Sequence, residues 1–274
     1  MLLLTLISTP MPCLRAQPAA SHVTNEEDDP FEAKTYFMAG LNFLSDNVYL
    51  GRKDTVTLPY LSPYIGYHHK SGAYAKMIAS YSLAGQNKRF DLLTLQAAYE
   101  HTIGDNFYGG LSAEKYFYGK KTGNVRGNTR GSVEAYGQYL NEWVQPQVTI
   151  GANFNKKTDF VAGLSVEHDF KIAGGKGSVI PAVAVNAGTL HYYNEYFSRK
   201  DSALKQSALG NAGAFKLLDI EVSCKATYRA SKWLFTFIPT YAIALNPATI
   251  TLPAKTITEK LGNTFYLELD ICYR

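Results

Sequence analysis

The chain has 274 residues, of which 13% are aromatic (20 Tyr, 14 Phe and 2 Trp) and only 18% are charged. A formal charge of +4 is too small to build a nucleic-acid-binding surface, and no recognition motif for DNA or RNA is present. Three cysteines supply neither a disulfide framework nor a metal site, and the sequence offers no cofactor motif.

Residues 1–16 combine a short apolar run with a small-residue exit at Ala16, the outline of an export signal peptide, with Cys13 inside it. Residues 17–34 are polar and acidic, with Asn25-Glu26-Glu27-Asp28-Asp29-Pro30, and read as a flexible periplasmic tail. Past the leader, no apolar run approaches the roughly 18 residues that a membrane helix needs. An exported chain of this kind can still cross a membrane as a closed barrel. Strands paired all the way round satisfy the backbone N–H and C=O groups that lipid leaves unsatisfied.

From Thr35 onward, period-two alternation predicts twelve strands: 35–45, 57–69, 73–83, 89–102, 106–118, 131–142, 144–154, 159–170, 178–192, 215–229, 233–245 and 263–273. The connections after even-numbered strands are short, as at Lys70-Ser71-Gly72 and Gly104-Asp105. Those after odd-numbered strands are mostly longer, including 46–56, 119–130, 193–214 and 246–262. This alternation is the pattern of an antiparallel up-and-down transmembrane β-barrel, with short periplasmic turns, long external loops and both termini in the periplasm.

Facing gives the same reading. The last strand sets Phe265, Leu267, Leu269, Ile271 and Tyr273 against Tyr266, Glu268, Asp270 and Cys272. The tenth sets Leu218, Ile220, Val222, Cys224 and Ala226 against Asp219, Glu221, Ser223, Lys225 and Thr227. One side suits oil and the other a polar interior. Cys224 and Cys272 fall on opposite faces, which argues against a bond between them. Outward aromatics form two bands at interfacial depth. Phe37, Tyr67, Tyr99, Phe107, Phe170, Tyr228, Trp233 and Tyr273 are expected at the periplasmic rim. Phe43, Tyr81, Phe117, Tyr139, Phe154, Phe160, Tyr241 and Phe265 are expected at the outer rim.

The last strand, Phe265 to Tyr273 followed by Arg274, resembles the C-terminal assembly signal of outer-membrane barrels, in which alternate apolar residues lead to a terminal aromatic. As a whole, residues 35–273 resemble the uncharacterised outer-membrane β-barrel proteins of Bacteroidota. The resemblance implies a place in the outer membrane of a Gram-negative bacterium and delivery by the barrel-assembly machinery. It implies no activity.

The expected lumen holds Glu100, Glu114, Glu134, Glu167, Asp169, Asp219, Glu221, Glu268 and Asp270 against Lys76, Lys225, Arg229 and His68, with tyrosines filling much of the rest. Two readings follow. Side chains fill a narrow twelve-stranded lumen, leaving a structural or surface-interaction barrel. Alternatively, the acids line a narrow porin-like channel that favours cations or passes small solutes. The external loops carry fifteen bases against six acids, and 119–130 is the sharpest basic patch, with Lys120, Lys121, Arg126 and Arg130. Such a patch suits lipopolysaccharide phosphates and outer-membrane lipids. Asp201 to Gly210 has the cap, core and closing glycine of a short helix.

His69-Lys70-Ser71 resembles the H-x-S element of outer-membrane phospholipase A and of lipid A deacylases, where histidine is the base for a serine nucleophile. That resemblance implies a lipid hydrolase as the alternative function. The residue after the serine is Gly72 rather than the usual asparagine, and Ser-Gly is ordinary turn chemistry. Gly174-Gly175-Lys176-Gly177 is read as a turn, since it lacks the strand–helix setting of a phosphate loop.

Overall fold

The computed structural model describes residues 34–84, 88–120, 122–200, 212–251 and 256–274. The export leader, nearly all of the acidic tail, Lys121 and the helix expected at 201–210 lie outside the described residues.

Twelve long strands form one antiparallel wall: β1 (Tyr36–Leu44), β2 (Tyr60–His68), β3 (Ala73–Ser82), β4 (Arg89–Ile103), β5 (Phe107–Tyr118), β6 (Gly131–Tyr139), β7 (Gln145–Phe154), β8 (Asp159–Glu167), β9 (Gly177–Gly188), β10 (Lys216–Ala230), β11 (Trp233–Ala244) and β12 (Thr264–Tyr273). Each pairs with its neighbours in sequence, and β1 pairs with β12 with Leu41 opposite Ile271, so the barrel closes with no free edge. A short strand, Phe170–Ile172, continues the edge of β8 along β9.

The wall is built inside out relative to a soluble protein. On β12, Phe265 is 60% exposed whereas Tyr266 is 1% exposed, and the alternation continues through Leu269 and Ile271 outside and Asp270 and Cys272 inside. Across the outer surface, Phe37, Ile65, Leu111, Ile150, Leu164 and Val222 are all exposed. The free Cys224 lies on the outward phase of β10, between Val222 and Ala226. So broad an apolar exterior requires an apolar solvent.

The inter-strand connections sort by end. The short turns use left-handed backbone at Gly72, Gly104, Gly174 and Gly175. At 141–144 the Asn141 side chain instead accepts the N–H groups of Trp143 and Val144. Both ends of the barrel, β1 and β12, begin and finish at this end.

Three details depart from the alternation read in the sequence. First, the ladder slips where Asn186 faces Asp219 but Ala187 faces Leu217. Leu218 is the extra residue, and the bulge turns it inward to complete burial, while Leu217 faces out. A matching slip beside Ser80 and Tyr81 turns both Asp91 and Leu92 inward. Second, residues 189–192 leave the wall, and α1 (His191–Lys200) begins there. Third, Tyr139 belongs to the short-turn rim. It is opposite Phe107, with ring centroids 5.2 Å apart, because β6 runs back toward that end.

Candidate functional site

The inward face is filled by a side-chain network that tightens toward the long-loop end. At the short-turn end, Glu100 accepts from the hydroxyls of Tyr108 at 2.6 Å and Tyr136 at 2.8 Å. Gln138 donates to Glu167 at 2.9 Å. The Tyr36 and His68 rings stack at 4.9 Å. At mid-depth, Tyr64 donates to Asp270 at 3.1 Å, Asn42 donates to Glu268 at 2.7 Å, and the Lys76 amine lies 5.3 Å from the Tyr64 ring. Gln96 and Tyr116 both donate to Glu114. Asn186 donates to Asp219 at 2.8 Å, and Glu221 accepts from Tyr266 at 3.4 Å. Glu134 is half-buried, opposite Ser112 and Gly151 in register, and Lys225 is half-buried, opposite Ile180. Asp169 sits in the break after β8, its side chain only 5% exposed, and pairs with Lys171 at 2.7 Å near the short-turn end.

Large inward side chains are buried at the middle of the barrel. Tyr64, Ile78, Glu221, Tyr266 and Asp270 each expose 3% or less. A twelve-stranded lumen lined by tyrosines packs as a polar core in which phenols such as Tyr64, Tyr108 and Tyr136 donate to carboxylates.

The long-loop end carries a cap that the sequence pattern did not reveal. Val48–Tyr49 and Arg52–Lys53 form a two-rung hairpin that folds into the mouth. Its turn residues, Leu50 and Gly51, both have positive φ. A Cβ on Gly51 would lie 2.9 Å from Ala244, so this tip fits against the wall only as glycine. Beside it, Arg52 is 2% exposed and donates to the carbonyls of Leu50 at 3.0 Å, Leu245 at 3.1 Å and Asn246 at 2.9 Å, with Glu259 at 3.4 Å. One guanidinium thus ties the first loop to the last.

Arg126 is the second tie. It was expected on an exposed basic patch, but it is 2% exposed. Its guanidinium carbon lies 4.4 Å from the Tyr49 ring centroid and 5.0 Å from that of Tyr116, and it also donates to Asn153. A planar cation stacks on aromatic faces at little hydration cost, which is why an arginine is tolerated here. Lys120 and Arg130 remain exposed.

The third component is α1. Asp159, the first residue of β8, accepts the N–H of His191 and that of Tyr192, each at 2.7 Å, together with the Thr189 hydroxyl at 2.6 Å. It caps the helix from more than thirty residues away. The helix then buries Tyr192, Tyr193 and Tyr196 against Tyr49, Leu50, Val125 and Leu218. Tyr196 donates to Asp54 at 3.1 Å. Burial pushes the Tyr49 hydroxyl up to about 12, a rise that the neighbouring Arg126 charge moderates.

At the opposite end, Nδ1 of His69 lies 2.9 Å from the Ser71 hydroxyl and also accepts the Ser71 N–H at 3.2 Å. The pair is surface-exposed in the β2–β3 turn. Among the described residues no carboxylate or amide is hydrogen-bonded to Nε2 of that ring to orient it.

No protein-family model matches this sequence, and no curated protein matches it. Solved structures do. The barrel is similar to the KdgM porin. The TM-score is 0.51 at 6% identity, covering 86% of this chain and 98% of that one. LpxR from Salmonella typhimurium also matches, with a TM-score of 0.46 at 10% identity over 86% of this chain and 99% of that one. The outer membrane channel DcaP of Acinetobacter baumannii gives 0.34 at 11% over 88% and 96%. The likeness to the KdgM porin shows the barrel fold alone.

Proposed function

We infer that this protein is a sealed outer-membrane barrel whose working surface is its loop-built cap rather than an open pore. The reading rests on one observation: the loops at one end are locked into the mouth by two buried arginines, above a lumen already filled by tyrosine–carboxylate pairs. A diffusion channel needs a continuous wet path, and the burial of the mid-barrel side chains supports a lumen without one. The apolar exterior and the sorted connections support a bilayer location, with the short turns in the periplasm and the cap outside. The resemblance to Bacteroidota barrels and to the C-terminal assembly signal supports Gram-negative outer-membrane insertion by the assembly machinery.

Planar-bilayer recording of purified protein tests this. The expected result is no steady conductance at any moderate voltage. Stable single-channel steps from the wild-type protein would replace the sealed reading with the narrow cation-favouring channel.

A further inference from the structure

The acids and bases of the long-loop end have separate fates. Asp46 is held by Lys53 and the N–H of Leu58, Asp54 by Tyr196, Asp91 by Tyr60 and Thr122, and Asp159 by the start of α1. Glu195 accepts the N–H of Lys156 at 3.0 Å, and Glu259 holds Arg52. Each of these acids serves as an internal brace of the cap. Among the described residues, the exposed acids are Asp105 and Glu142, both in short turns at the far end. Among the bases, Arg52 and Arg126 are likewise buried in the cap, but a separate set faces out. Lys88, Lys115, Lys120, Arg130, Lys156 and Lys157 are all exposed, and all lie at the long-loop end of the arc from β4 to β8.

Lys115 is the informative member. It shares the outward phase of β5 with Phe117, on the apolar wall itself. Its partners in register are Leu95 and Gly131. No side chain fits at 131, where a Cβ would lie 2.5 Å from the Glu114 carbonyl oxygen, so the wall is notched beside the lysine. The amine lies 5.9 Å from the Phe117 ring centroid, two residues nearer the rim. The chain therefore runs up the wall toward headgroup depth, as a lysine does when its stem is in an apolar solvent. Arg130 follows directly, its N–H donating to the Phe154 carbonyl at 2.8 Å, next to Gly131. Exposed Lys115 and Arg130, side by side with the exposed rings of Phe117, Phe154 and Phe160, match a ligand with a charged phosphate head and acyl tails.

We propose that the outer rim of β4–β8 binds a phosphorylated glycolipid of the outer leaflet, with Lys115 and Arg130 contacting its phosphate. The proposal rests on the outer-membrane orientation inferred above. It does not depend on the lumen being sealed, since a conducting barrel carries the same rim.

Native mass spectrometry of the full mature protein in neutral detergent, with bisphosphorylated lipid A as probe, tests it. Wild-type protein should retain the glycolipid, lose most of it on enzymatic dephosphorylation of the probe, and bind it less as salt rises. The double variant Lys115→Gln, Arg130→Gln should lose at least about tenfold in retention. Lys171→Gln with Lys176→Gln at the opposite rim should not change it. Heat-modifiable gel mobility confirms that each variant is folded. Equal retention by the outer-rim variant, or equal binding of the dephosphorylated probe, overturns the proposal. Equal binding of phosphatidylglycerol overturns the commitment to a glycolipid.

Discussion

The guanidinium of Arg126 stacks on the ring of Tyr49 at 4.4 Å, joining a loop between β5 and β6 to the hairpin after β1. Neither residue is in a wall strand, yet both are buried to within 2%. The cap is therefore a tertiary core made from loops, and its strength depends on a few long-range pairs.

Arg52→Ala tests the strongest of these. It leaves three well-bonded carbonyls and Glu259 without their cation, at a cost of about 3–5 kcal/mol to the cap. The wall, closed by its own ladders, should persist. The expected outcome is a barrel with normal heat-modifiable mobility but faster hydrogen exchange over 48–53 and new protease cleavage in the loops. Unchanged exchange would show that this arginine does not lock the mouth.

Asp159→Ala should detach α1. Two helix N–H groups and the Thr189 hydroxyl lose their acceptor, an effect of about 1–3 kcal/mol. Loss of protection confined to residues 189–196, with β8 intact, is the result to look for by hydrogen exchange.

Leu218→Ala opens a cavity where the β10 bulge meets the tyrosine cluster. Large-to-small changes at such sites cost about 2–5 kcal/mol. Leu217→Ala, one residue away but facing out, should cost far less. Thermal unfolding of the two variants in one detergent gives the comparison, and equal losses would contradict the bulge.

Alkali should open the cap before it opens the wall. An unfolded tyrosine ionises near 10, and Tyr49 in the cap near 12, so the folded cap holds its proton more tightly. Its contribution to stability is complete below pH 10 and is lost progressively as pH rises to about 12. Tyrosinate absorbance and loop proteolysis should rise together over that interval, and Tyr49→Phe should remove its share of the effect.

Acyl release provides a check on the turn at His69 and Ser71. With no group orienting the far side of the imidazole among the described residues, wild-type protein should hydrolyse a fluorogenic ester no faster than Ser71→Ala does. A rate lost on that substitution would establish the hydrolase.

Strand number, strand order and the polarity of the wall were legible in the sequence. Each depends on local rules: period-two facing, glycine turns and connection length. Phe265 against Tyr266 could be read two residues at a time. The fate of Leu218 could not, because a bulge is set by its ladder partner and reverses the phase without changing composition. Nor could the burial of Arg52 and Arg126, which read as surface charges until Leu245, Asn246, Tyr49 and Tyr116 are brought around them. The helix at 191 begins where it does because Asp159 reaches it from another strand, and no neighbouring residue carries that signal. Sequence determined the barrel because strand facing is decided residue by residue. Tertiary structure decided that it is capped, because burial of a loop cation depends on aromatic rings and carbonyls contributed from distant parts of the chain.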